Sequence, residues 1–154
     1  MKKLAILFVL VASCSRSVVV SGPPTAPLPG VAGAATPKDA VKRFMTAARS
    51  QDLQEMGLAW GTSDGPVLTE HESADAKHTR EQREIVMMCY LKHDTYQVSN
   101  DTPGTNGQRI LAVDLRFKDL TRSADFTVTQ SQKGRWFVQK VDIEKLRDIC
   151  ARKT

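Results

Sequence analysis

Residues 111–117 read "LAVDLRF", and the period of that run decides the fold class. Leu111, Val113, Leu115 and Phe117 alternate with Ala112, Asp114 and Arg116. Successive side chains of a strand point to opposite faces, so this alternation marks a strand with one buried side. Phe126 and Val128 alternate in the same way with Thr127 and Thr129, and "RWFVQKVDI" at 135–143 reads as the last long strand. Between them "QKGR" at 132–135 suits a tight hairpin turn, with Gly134 supplying a positive φ. A weaker strand is expected near 95–100, before the turn-rich "NDTPGTNG" at 100–107.

Upstream of these strands the period is helical. "TPKDAVKRFM" at 36–45 has Thr36 as N-cap, Pro37 in the first turn and Asp39 at the positive helix end. Val41, Phe44, Met45 and Ala48 make one apolar stripe. "QDLQEMGLAWG" at 51–61 reads as a short second helix stopped near Gly61, and residues 61–78 read as loop. Thr79 and Gln82 suggest a capping box for a third helix over 79–93, with Ile85, Val86, Met88, Cys89 and Tyr90 on its apolar face. A short last helix begins near Glu144. Helices followed by strands predict an α+β domain. Three N-terminal helices pack on one face of an antiparallel sheet of three to four strands, and a short C-terminal helix closes the chain.

The chain has 154 residues, 41% apolar and 25% charged, which suits one domain with appendages. Its formal net charge is +5, and without Lys2 and Lys3 there remain 20 basic against 17 acidic side chains. So small an excess, with basic residues scattered and no aromatic interleaving, argues against a nucleic-acid partner.

The N-terminus reads as an address. Lys2 and Lys3 precede an apolar run, Leu4 to Val11, and the small residues Ala12 and Ser13 lead to Cys14. That is the layout of a secretory signal peptide, and the run is about half of the roughly 20 residues that span a bilayer. "LVASC" at 10–14 resembles a bacterial lipobox. The resemblance implies removal of residues 1–13, a diacylglyceryl group on the Cys14 sulfur and acylation of its new amino group. Two or three acyl chains hold a protein at a membrane where one is marginal. Ser15, rather than Asp, after the cysteine favours the outer membrane of a Gram-negative envelope. "VAS" also satisfies ordinary signal peptidase at the same place, which would leave Cys14 as a free thiol on a secreted protein. Residues 14–35 then carry the lipidated cysteine and a Pro-, Gly- and Ala-rich tether without enough apolar surface to fold. The folded domain is expected over 36–154.

The opening "TPKDAVKRFMTAARSQDLQEM" at 36–56 resembles the nuclear-transport-factor-2-like (cystatin-like) domains, whose bacterial members include small lipoproteins of unknown function. The resemblance rests on Pro37, Ala40, Val41 and Phe44 in the first helix, on Asp52 and Leu53 at the start of the second, and on element order over about 36–143. It implies a curved sheet wrapped round the first helix as a cone. That family hosts enzymes, ligand binders and dimer scaffolds, so fold alone does not choose among them. The Asp/His/Arg sets of its isomerases and dehydratases find no matching motif here.

Cys89 and Cys150 both fall on apolar helical faces, Cys150 with Ile143, Leu146 and Ile149. In an oxidising compartment they are expected to bond; the alternative is two separate buried thiols. Weak acid/base candidates are His93, Asp94 and Asp114. Lys92 and His93 equally suit a helix C-terminus, and Asp94 the turn after it. Asp114 and Arg116 share a strand face that is either a cavity wall or a solvent side. Trp60, Tyr90, Tyr96 and Arg116 could line a pocket, as could Trp136, though large aromatics are more often core. Glu70, His71, Glu72, Asp75 and His78 in "EHESADAKH" lack a tight ligand spacing, so a solvated loop is expected rather than a metal site. No cofactor motif is present. The sequence thus points to a membrane-anchored envelope lipoprotein with a binding or scaffolding domain, possessing a small-molecule or protein partner or pairing with itself. An enzyme working in the cone pocket is the rival reading.

Overall fold

Thr36 caps the first helix as its sequence demands: its side chain accepts the Asp39 N–H at 3.1 Å, and Pro37 stands at the first helical position. The computed structural model describes residues 31–152; the expected leader, Cys14 and the tether up to residue 30 lie outside them. Helix α1 runs Pro37–Ser50 and ends at Gln51 in a left-handed conformation. Asp52 then caps α2, Leu53–Ala59, by accepting the Glu55 N–H at 2.9 Å.

A small antiparallel hairpin follows, β1 Gly61–Thr62 and β2 Gly65–Pro66, within the stretch expected to be loop. Helix α3 spans Ala74–Tyr90. Its cap is Ser73, whose side chain accepts the Ala76 N–H, so the helix starts five residues before the expected Thr79 and ends three before residue 93. Four strands then form one antiparallel meander: β3 Thr95–Pro103, β4 Arg109–Phe117, β5 Leu120–Gln130 and β6 Trp136–Val141. Bulges at Ser99/Asp101 and at Thr127/Val128 shift the register and bend the strands that carry them. A 3-10 turn, Ile143–Leu146, leads into α4, Arg147–Ala151.

The class is therefore α+β as expected, with four strands in the main sheet and a different helix arrangement. Leu111, Val113, Leu115 and Phe117 of β4 are buried, as are Ala124, Phe126 and Val128 of β5. Helix α1 lies on this inner face and fills it with Val41, Phe44 and Met45, all fully buried. Phe44 meets Phe126 and Trp60 edge-on, at 6.5 Å and 6.1 Å between ring centres. Helix α2 packs chiefly on α1, while α3 packs on α2, α4 and the 3-10 turn. Only α1 of the three thus forms the main layer on the sheet.

Two further expectations change. Ile85 and Val86 of α3 are 57% and 56% exposed, so they do not form its inner face. Residues 31–35, expected in the tether, belong to the fold. Ala34 is buried and pairs with Trp136 in an antiparallel bridge. Two arginines hold this arm by its carbonyls. Buried Arg43 donates to the Val31 and Gly33 carbonyls and binds Glu55 through Nε and Nη2, while Arg135 donates to Ala32 and Gly33.

Candidate functional site

Helix α3 decides the surface chemistry, because its inward stripe is charged where an apolar stripe is usual. Arg80 and Glu84, one turn apart, are its buried residues. Arg80 grips Glu72 through Nε and Nη2, each at 3.0 Å, and donates Nη1–H to Glu84 Oε2 at 2.8 Å. Glu84 is fully buried and its Oε1 has no hydrogen-bond partner. Burial pushes the Glu84 carboxyl above its usual range, against the opposing pull of Arg80. Gly57 of α2 makes room: a Cβ there would stand 2.9 Å from Glu84 Oε1 and from Leu68 Cβ. The spacing of Arg80 and Glu84 is a sequence signal, but only the position of Glu72 and Gly57 shows that the pair turns inward.

Two clefts flank this stripe. The first, about 410 Å³, is lined by Trp60, Val67, Glu72, Thr79, Arg80 and Arg83 among others. The second, about 430 Å³, shares Trp60, Thr79 and Arg83 and adds Val86, Met87 and Ile143. Trp60 is half-buried between them and donates its indole N–H to the Gln139 carbonyl at 3.3 Å.

A third cleft, about 530 Å³, lies where the C-terminal ends of α1, α3 and β4 meet. Its wall includes Arg49, Gln51, Lys92 and His93 over an apolar floor with Met88, Leu91 and Phe117. Cys89 lines it too, with its sulfur 2.03 Å from that of Cys150, so the pair stands at disulfide distance and ties α3 to α4. His93 is 7% exposed. Its Nδ1 is 2.8 Å from the Leu91 carbonyl, which fixes the proton there in the neutral ring, and Nε2 has no partner. Tyr96 stands edge-on to the ring at 5.1 Å. Burial lowers the pKa of His93 and the Arg49 charge lowers it further; the bond to Leu91 and the Asp94 charge act the other way.

The remaining candidates scatter. The Asp94 carboxylate accepts the Lys118 N–H at 2.7 Å and so braces the β4–β5 turn, in which Lys118 has φ +54°. Asp114 and Arg116 lie on the β4 face opposite the core, Arg116 exposed, which resolves the alternation toward the solvent side. Tyr90, Tyr96 and Trp136 are half-buried against the core. Asp75 and His78 are exposed on α3, and Glu72 is engaged by Arg80. Among the described residues no group of three or more His, Cys, Asp or Glu side chains is placed to hold a metal ion. Nor is any described helix long and apolar enough to cross a membrane.

Comparison with known proteins gives no match: no protein-family model, curated relative or solved structure matches this chain.

Proposed function

We propose that this chain is an exported lipoprotein, anchored in the bacterial cell envelope through acylated Cys14, whose nuclear-transport-factor-2-like domain binds a small molecule or a partner protein. What supports binding over turnover is the filled inner face of the sheet. In a cone of this kind the reaction chamber lies between helix and sheet, and here Val41, Phe44, Met45 and Phe126 occupy it. The accessible clefts lie outside, along α3. His93, Asp94 and Asp114 are spent on the Leu91 carbonyl, the β4–β5 turn and the outer sheet face respectively, not on one another. The Cys89–Cys150 pair fits an oxidising compartment and so an exported protein. Native mass spectrometry of the protein extracted from the membrane tests this reading. A stoichiometric small molecule or partner chain is expected; a bare monomer contradicts it.

A further inference from the structure

The cleft at the ends of α1, α3 and β4 is chemically one-sided. Of its ionisable lining groups, Arg49 and Lys92 are basic and His93 is buried; among the described residues no carboxylate lines it. The rest is largely apolar, and its volume of about 530 Å³ falls among those of small-molecule sites.

We propose that this cleft binds a small amphipathic anion, its head group drawn to Arg49 and Lys92 and its apolar body laid against Met88, Leu91 and Phe117. The proposal rests on the binding role above and names its ligand class.

The test uses the mature chain with Cys14→Ser and three probes with one tail: 4-phenylbutyrate, 4-phenylbutanol and 4-phenylbutylamine. Calorimetry is expected to show the acid binding with Kd below about 1 mM and the amine at least about tenfold weaker. Amide resonances of Leu91, His93 and Phe117 should shift on addition of the acid. Arg49→Gln with Lys92→Gln should abolish the preference for the acid over the alcohol. Equal binding of acid and amine, or unshifted cleft resonances, overturns the proposal. A neutral or cationic ligand co-purifying with the native protein would do so too, while leaving the binding role intact.

Discussion

Replacing Arg80 by Met should be the most damaging single change on α3. Arg80 hydrogen-bonds Glu72 on one side and the fully buried Glu84 on the other, with Glu81 3.9 Å away as a looser ion pair. Methionine keeps most of the volume and none of the charge, so Glu84 is left as an uncompensated anion beside Glu72. Breaking a buried pair from one side costs about 3–5 kcal/mol. For a domain of this size that is a fall in Tm of roughly 12–20 °C. The carboxyl can escape only by staying protonated. Its folded pKa is already raised and rises further without Arg80, so the folded state holds a proton that the unfolded chain releases from its model value of 4.5 upward. Between those two pKa values stability falls as pH rises. The deficit of Arg80→Met should thus be larger at pH 7.5 than at pH 5. Adding Glu84→Leu removes the stranded charge and should recover stability to within about 1 kcal/mol of the parent. Urea unfolding of the mature Cys14→Ser chain, followed by circular dichroism, measures all four corners of this cycle. A loss under about 1 kcal/mol for Arg80→Met at neutral pH, or a double variant no better than the single, would refute the assignment of a buried ion network.

Three further outcomes follow from other contacts. The Cys89–Cys150 link closes a separation of 61 residues, so Cys89→Ser with Cys150→Ser should lower stability by about 4 kcal/mol in the chain-entropy estimate. Unfolding curves that do not move on addition of dithiothreitol would show that the pair is not bonded. Arg43→Gln frees Glu55 and the Val31 and Gly33 carbonyls, which should cost about 2–4 kcal/mol. It should also speed elastase cleavage within residues 31–34, and an unchanged cleavage rate would mean that the arm is held by other contacts. His93, with its pKa lowered by burial, stays neutral in the fold while the unfolded chain takes up a proton below about pH 6.5. Stability should therefore fall on acidification below that point and less so in His93→Gln; parallel slopes in melting experiments would contradict it.

What the sequence made legible was whatever depends on neighbours in the chain. The alternation in residues 111–117 placed Leu111, Val113, Leu115 and Phe117 on the core side, and Thr36, Pro37 and Asp39 marked the start of α1. Gly134 turned the last hairpin with φ +74°. What escaped depends on partners far along the chain. Helix α3 is capped by Ser73, begins at Ala74 and buries Arg80 and Glu84, because Glu72, Leu68 and Gly57 form the receptacle for them. A pattern of apolar residues therefore pointed to Ile85 and Val86, which face outward. Residues 31–35 read as tether because their anchors, Arg43 and Arg135, act through backbone carbonyls and leave no mark on the arm's own composition. Asp94 looked like a partner for His93, since the Lys118 N–H that it holds lies 24 residues on. The cleft itself joins Arg49 of α1, Lys92 of the turn after α3 and Phe117 of β4, a juxtaposition no spacing encodes.

The measurement that tests the central claim most directly is the mass of the mature N-terminal peptide from protein made in a lipoprotein-processing bacterium. Trypsin cuts after Arg16, so the account predicts the tripeptide Cys14-Ser15-Arg16 with a diacylglyceryl thioether and an acylated amino group. An unmodified Cys14 at the N-terminus, or an uncut leader running through Arg16, would contradict it.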